Sequence, residues 1–142
     1  EILQTPLALH YNLKHNRVIH KRVMFLEIGV KNKPYVPSDE RLAVDNLGKN
    51  FRRVLVKYGF LQEVSMRNIV ELLRSEGILT EQNPEKITYF LAGQTIFVES
   101  KKPWNRLRNN LFRMLKNSSL SAIRYFDIPD EQVFEIGIQL KI

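Results

Sequence analysis

The chain has 142 residues, enough for one domain with its own core, and a net charge of +7. Apolar residues make up 44% and charged residues 26%, which is the composition of a globular protein and not of a disordered one. The absence of cysteine excludes disulfides, thiol catalysis and cysteine-ligated metal, and no apolar run approaches the roughly 18 residues of a membrane span.

The N-terminal part of the chain predicts a short helix and then a strand. Residues 6–16 fit a helix opened by Pro6, because proline suits the first turn. Residues 22–30 are rich in β-forming side chains and carry apolar residues on both faces, as expected of a strand covered on both sides. Residues 31–40 contain two prolines and several polar residues, which predict a loop.

Two further strands and a helix are predicted next. Residues 41–60 fit a short strand, a turn at Gly48 and a second strand with alternating apolar positions. Residues 65–77 fit a helix with Ser65 as its N-cap and Gly77 at its C-terminal end. The apolar stripe of this helix consists of Met66, Ile69, Val70 and Leu73.

The C-terminal part predicts a strand, a long helix and a last strand. Residues 87–100 read as strand material interrupted near residues 92–94. After Pro103 the pattern favours the longest helix of the chain, which ends near Phe126. Residues 133–142 alternate without a break and predict the final strand.

Together these elements predict an α/β fold. We expect a mixed sheet of about four to six strands, two main covering helices and a short N-terminal helix. Both main helices lie between strands, and connections of that length usually join parallel strands of one sheet. The early strands are candidates for antiparallel pairing.

All three histidines, His10, His15 and His20, occur at a spacing of five. On a helix this spacing turns them to roughly 0°, 140° and 280°, so no two share a face, whereas helical metal pairs need spacings of three or four. We therefore expect no metal site. The chain also lacks the nucleophile elbow, the glycine-rich phosphate loops and the metalloprotease motif, so we expect neither an enzyme nor a cofactor.

The basic residues suggest another class of function. Arg106, Arg113 and Arg124 fall on the side of the predicted long helix that is opposite to its apolar residues. Such a basic face binds nucleic acid or anionic lipid through phosphate groups, and this is the alternative reading of the chain. A solvated basic surface accounts for the same residues.

The chain carries the letters NLKHN from Asn12 to Asn16 and a further histidine, His20, shortly after them. In this arrangement it resembles the KUP family of potassium-uptake transporters, in which the same element follows the last membrane span and leads to a later histidine. His10 has no counterpart in the family pattern. Further collinear matches are VKYGF (56–60), YFLAGQT (89–95), PWNRLRNNLFRMLKNS (103–118) and FDIPDEQVFEIGIQ (126–139).

The resemblance implies that the chain is the soluble C-terminal cytoplasmic domain of a proton-coupled potassium uptake transporter of the inner membrane. Residues 1–20 are then a membrane-proximal linker or short helix, and residues 21–142 a single cytoplasmic domain with a structural, dimerising or regulatory role. The implied partners are the transmembrane core of the same transporter and a second copy, with cyclic di-AMP or anionic lipid headgroups as further candidates. Nucleic acid is not expected as a partner of such a domain. The candidate membrane-proximal coupling motif is Asn12, Lys14, His15, Asn16 and His20.

A local structural role fits the same motif. Asparagine tolerates the left-handed conformation that follows many helices, so Asn16 is a candidate for the residue that ends the first helix. Lys14 and Arg17 would then stabilise the C-terminal end of that helix electrostatically. The two roles are compatible, because a joint between two parts of a protein needs a defined helix end.

Overall fold

The computed structural model describes residues 5–97 and 118–141. The helices and strands are, in chain order, α1 (Leu7–His15), β1 (Val23–Lys31), β2 (Leu42–Gly48), β3 (Phe51–Gly59), α2 (Met66–Ser75), β4 (Tyr89–Phe97), α3 (Ser118–Tyr125) and β5 (Val133–Lys141). Short 3-10 turns at Ser38–Glu40, Pro84–Lys86 and Asp130–Gln132 precede β2, β4 and β5. The α/β class predicted from the sequence is confirmed.

The first sheet contains three strands in the order β1-β3-β2. β1 runs parallel to β3, with Val23 opposite Phe51, and β2 runs antiparallel to β3, with Leu42 opposite Val56. The β2–β3 turn includes Gly48, whose φ of 149° is a conformation that L side chains rarely adopt. The predicted turn and the antiparallel pairing of early strands are therefore confirmed.

The second sheet contains β4 and β5, which are parallel, with Tyr89 opposite Val133 and Phe97 opposite Lys141. β4 continues through residues 92–94, where the sequence predicted an interruption, so that prediction is wrong. Gly93 lies opposite Gly137, and the register of the two strands continues through this pair without a shift. The single sheet is also corrected, because the five strands of the described residues form two sheets of three and two strands.

The core lies between the first sheet and α2. Val54 and Val56 of β3 are fully buried, as is Ile69 of α2. The hydroxyl of Ser65 accepts a hydrogen bond from the backbone N–H of Asn68 (3.2 Å) and caps α2 as predicted. The remaining buried members of this core are Tyr58, Met66, Val70, Leu73, Ile123 and Ile128.

The C-terminal end of the predicted long helix is present as α3, which ends at Tyr125. The beginning predicted after Pro103 lies outside the described residues. The backbone N–H of Met66 donates to the carbonyl of Phe126 (2.7 Å), which ties the start of α2 to the end of α3. α3 lies between β4 and β5 in the chain. This hydrogen bond and the burial of Ile123 attach α3 to the main core.

Candidate functional site

α1 carries the motif that the sequence singles out, and it lies against β4 and β5. Its buried positions are Ala8 and Asn12, which are four residues apart and therefore on one face of the helix. The carbonyl of Pro6 accepts the N–H of His10 (3.0 Å), so Pro6 stands at the N-cap, one position before the first helical residue. The helix is thus packed against the second sheet through this face.

Asn12 is the centre of the hydrogen bonds that end α1. Its side-chain Nδ2 donates to the carbonyl of Val18 (2.9 Å), and its Oδ1 accepts from Nδ2 of Asn16 (2.8 Å). Its backbone carbonyl accepts the N–H groups of Asn16 (2.9 Å) and Arg17 (3.2 Å). Asn12 is the buried polar residue of the described part of the chain, and these bonds satisfy its amide.

The residue in left-handed conformation is Arg17, with φ of 57°, and not Asn16. Asn16 has right-handed helical angles (φ −87°, ψ −23°). The expectation about Asn16 is therefore wrong in detail, although the helix does end at this point. Asn16 contributes its side-chain amide to the helix end, while the strained backbone is left to Arg17.

The other members of the candidate motif are exposed. Lys14 and His15 lie in the last turn of α1, where a positive charge interacts favourably with the helix dipole. The ring of His15 stacks on Tyr11 (centroids 6.0 Å apart, planes at 6°). His20 packs edge-on against Phe90 of β4 (5.3 Å). The motif therefore combines one buried residue that holds the helix end with side chains that face outward.

The histidines do not form one cluster. The ring of His10 contacts Tyr11 (5.3 Å), as His15 does, whereas His20 contacts the second sheet through Phe90. Within residues 5–97 and 118–141, no group of three or more metal-ligating side chains comes together.

Exposed apolar side chains accompany the basic ones along α1 and the segment after it. Leu7, Leu13, Val18 and Ile19 each expose at least 39% of their surface. Exposed basic residues lie between and beside them in the sequence, at Lys14, Arg17, Lys21 and Arg22. We call the exposed side chains of this segment the junction surface; they include both apolar and positively charged groups.

A groove of about 460 Å³ runs between the end of α1 and β5. α1 supplies one wall through Tyr11, His15 and Asn16. The other wall is the consecutive run Phe134–Gln139 of β5. The groove brings two residues of the candidate motif next to the last strand of the chain.

A second groove, of about 630 Å³, lies where β1 ends beside β2 and β3. Three lysines, Lys31, Lys33 and Lys57, line it together with Asp39 and Glu40. Lys33 donates to the carboxylate of Glu40 (2.9 Å), and this hydrogen bond lowers the pKa of Glu40. Lys31 and Lys57 remain against the single carboxylate of Asp39, so the groove has one more lysine than carboxylates.

The predicted basic face is described only in part. Arg124 is exposed on α3, whereas Arg106 and Arg113 lie outside the described residues. The structure therefore offers no common surface on which the three arginines can be compared.

Three arginines that the sequence did not single out hold the segment that follows α2. Arg22 forms an ion pair with Glu81 (3.4 Å), Arg52 donates to the carbonyl of Ile78 (2.6 Å), and Arg74 donates to the carbonyl of Glu81 (3.0 Å). Two of these bonds end on backbone carbonyls, which every residue has, so no side-chain pattern announces them. They anchor this segment to the residue just before β1, to β3 and to α2.

The end of β3 is packed closely on the loop that follows β1. A Cβ atom added at Gly59 would lie 2.2 Å from the carbonyl oxygen of Pro34, so only glycine fits. The side-chain oxygen of Gln62 accepts the N–H groups of Val36 (2.9 Å) and Gly59 (2.7 Å). Loop and strand are therefore locked together beside the lysine-lined groove.

Two tyrosines in contact with the core have shifted acidities. Burial raises the pKa of Tyr58 and that of Tyr89 above the ordinary value of 10.0. Arg41 stands over the ring of Tyr58 (5.3 Å from guanidinium carbon to ring centre) and opposes part of its shift. Both phenols thus stay protonated to higher pH in the folded chain than in the unfolded one.

Comparison with known proteins places these features in a family. The sequence model of the family described as "K+ potassium transporter C-terminal domain" matches residues 2–142. No solved structure matches the chain. Among the residues that the structure describes, no helix combines the length and the apolar character that crossing a membrane requires.

The chain is similar to several curated proteins over almost its whole length. It is 36% identical over 137 residues to the probable potassium transport system protein Kup of Chlorobium luteolum, covering 96% of this chain and 21% of that protein. It is 34% identical over 137 residues to the protein of the same description from Pseudomonas putida, with the same coverage. It is 33% identical over 138 residues to the low affinity potassium transport system protein Kup of Pectobacterium atrosepticum, covering 96% of this chain and 22% of that protein. The chain therefore spans about a fifth of the length of the curated relatives that it matches.

Proposed function

Because the chain belongs to the family of K+ potassium transporter C-terminal domains, we propose that it is the non-enzymatic C-terminal domain of a proton-coupled potassium uptake transporter. In this proposal the domain lies on the cytoplasmic side of the inner membrane, under the transmembrane core of the same transporter. Its role is structural, dimerising or regulatory. The observation that carries the proposal is the match of residues 2–142 to the family, together with relatives that are potassium transport proteins by description.

The position of α1 supports a joint between the two parts. The chain covers about a fifth of the length of each relative, and the family that it matches is described as a C-terminal domain. In this proposal the rest of the transporter therefore precedes the chain and joins it at its N-terminal end, next to α1. We propose that residues 1–20 connect the transmembrane core to a domain formed by residues 21–142. α1 lies against β4 and β5, so a movement at its N-terminal end would reach the second sheet directly.

The candidate coupling motif has the parts that such a joint needs. Asn12 gives α1 a defined end, because its amide and carbonyl together bind Asn16, Arg17 and Val18. A helix end whose backbone groups are bonded does not unwind, so the direction of α1 relative to β4 and β5 stays fixed. A movement at one end of α1 would therefore move the whole helix. His20 adds a second contact with the second sheet through Phe90.

The charge of the junction surface suits the proposed position under a membrane. Its exposed basic side chains, Lys14, Arg17 and Lys21, would face anionic lipid headgroups. Each such residue near an anionic membrane contributes about 1 kcal/mol of attraction.

Cyclic di-AMP is a candidate regulatory ligand of the domain. The lysine-lined groove carries donors suited to the phosphates of this ligand.

Potassium uptake by the complete transporter tests the proposal. A potassium-uptake-deficient bacterium would express either the intact protein or a form that ends before residue 21 of this chain, and the amount of each in the membrane would be measured. We expect uptake per transporter molecule to fall when residues 21–142 are removed. Equal uptake per molecule at an equal amount in the membrane would contradict a structural or regulatory role of the domain.

A further inference from the structure

Two exposed apolar side chains follow the end of α1 on a segment that is held in place. Val18 exposes 59% of its surface and Ile19 exposes 45%. The carbonyl of Val18 accepts a hydrogen bond from Nδ2 of Asn12 (2.9 Å), and the ring of His20 packs on Phe90 of β4 (5.3 Å). The backbone is therefore anchored at both ends of the apolar pair. Both side chains are β-branched, so they have little rotamer freedom to lose when another surface covers them.

The charge around this pair has one sign. Residues 2–26 contain no aspartate and no glutamate. Their lysines and arginines are Lys14, Arg17, Lys21 and Arg22. Within residues 5–97 and 118–141, Arg22 is the one of these four that forms an ion pair, with Glu81 (3.4 Å). Arg17 and Lys21 are exposed, so residues 17–21 present two apolar side chains between two cations.

An anionic lipid bilayer is the surface that fits this arrangement. Segments that bind at the surface of a bilayer place apolar side chains at the boundary between headgroups and acyl chains, while their cations stay at the level of the lipid phosphates. In the proposed function the membrane part of the transporter joins the chain at its N-terminal end, because the family is described as a C-terminal domain and the chain covers about a fifth of each relative. An acidic protein surface would also suit the two cations, but the position beside this connection favours lipid.

We propose that residues 17–21 dock on the anionic surface of the membrane, with Val18 and Ile19 at the boundary between headgroups and acyl chains and with Arg17 and Lys21 on lipid phosphates. This inference rests on the proposed function and gives the domain a direct attachment to the bilayer, in addition to its connection through the chain. β1 begins at Val23, just after this segment. Its far end at Val30 is about 23 Å further along the strand and lies away from the lipid.

Fluorescence quenching in the full-length transporter tests the docking. The chain has no cysteine, so Val18→Cys in a transporter otherwise free of cysteine can carry a single bimane label. The protein is placed in nanodiscs of phosphatidylethanolamine and phosphatidylglycerol that include lipid with a quenching spin label near the top of its acyl chain. The matched control is Val30→Cys, because Val30 is the same residue type and exposes 62% of its surface. We expect lipid quenching at position 18 to be about threefold greater than at position 30, and iodide in the water to quench position 18 less.

The charge dependence of the quenching tests the role of the two cations. Replacement of phosphatidylglycerol by phosphatidylcholine should release the segment, and Arg17→Gln/Lys21→Gln should release it in the anionic nanodiscs. Each cation near an anionic surface favours the docked state by about fivefold, so the double change should lower the ratio of docked to undocked domain by about thirtyfold. The matched control Lys31→Gln/Arg67→Gln removes the same charge at exposed positions at the far end of β1 and on α2, and should leave the quenching unchanged.

Several outcomes would overturn the docking. They are equal lipid quenching at positions 18 and 30, quenching that persists without anionic lipid, and an equal effect of the two double changes. A label at position 18 that is shielded from iodide but not quenched by the lipid would also overturn it, because protein and not lipid would then cover the segment. Uptake per transporter molecule after removal of residues 21–142 is a separate measurement, so a failure here is distinguishable from a failure of the proposed function.

Discussion

Replacement of Asn12 by alanine tests the helix end on which the proposed joint depends. The change removes two side-chain hydrogen bonds, to Val18 (2.9 Å) and from Asn16 (2.8 Å). Each contributes roughly 0.5–1.5 kcal/mol net, and both partner residues are exposed enough to bond with water instead. We therefore expect the free energy of unfolding to fall by about 1–2 kcal/mol, which is a decrease in Tm of about 3–7 °C for a chain of this length. Thermal and urea unfolding followed by circular dichroism measure both quantities.

Two control variants separate this effect from the loss of any asparagine. Asn16→Ala removes only the bond between the two side chains and should cost about half as much. Asn68→Ala makes the same chemical change at an exposed position of α2, where alanine is the better helix former, and should leave stability unchanged or slightly higher. Because Asn12 and Asn16 share a bond, the double variant should cost less than the sum of the two single changes. A loss for Asn12→Ala no greater than that for Asn68→Ala would refute the reasoning.

Two further predictions concern the body of the domain. Gly59→Ala should lower the free energy of unfolding by about 1–3 kcal/mol, because the new methyl group meets the carbonyl of Pro34. The control Gly137→Ala places its methyl group in open space and should leave the free energy of unfolding unchanged. Equal urea midpoints for the two variants would contradict this prediction. Burial raises the pKa of Tyr58 and Tyr89, so the folded chain holds these phenolic protons more tightly than the unfolded chain, in which the pKa is about 10. The contribution of these two phenols to stability should therefore be constant below that pH and fall as the pH rises above it. The Tm measured from pH 8 to about 11 should decline less for the Tyr58→Phe/Tyr89→Phe variant than for the parent chain. Parallel curves for the two proteins would show that the pKa values of these phenols do not affect stability.

Local elements of this fold follow from the sequence because their causes are local. α2 has its cap at Ser65 and buries Met66, Ile69, Val70 and Leu73, as the stripe predicts. The final strand follows from strict alternation over residues 133–141. In both cases, side-chain period and end residues act within a few positions of each other.

The features that sequence reasoning missed depend on distant parts of the chain. Alternation shows that residues 89–97 can form a strand, but it carries no information on whether that strand joins the first sheet or pairs only with β5. The same limit applies to the interruption predicted near Gly93, since the pairing with β5 overrides the weak strand propensity of glycine.

The candidate motif shows a similar division. The end of the first helix near Asn16 could be predicted, because asparagine and basic residues are typical of helix ends. The left-handed residue is nevertheless Arg17, which has no intrinsic preference for that conformation and adopts it while its N–H bonds to the carbonyl of Asn12. That Asn12 is the buried centre of the network depends on the packing of α1 against β4 and β5, which the motif itself does not encode.

The most direct test of the central claim is the DNA sequence upstream of the codon for Glu1 in the source genome. If the chain is the C-terminal domain of a potassium transporter, the reading frame continues upstream and encodes a series of apolar segments of roughly 20 residues each. Together with this chain these segments should make up a protein of which residues 1–142 are about a fifth, as in the curated relatives. A start codon immediately before Glu1, with no apolar segments upstream, would contradict the claim.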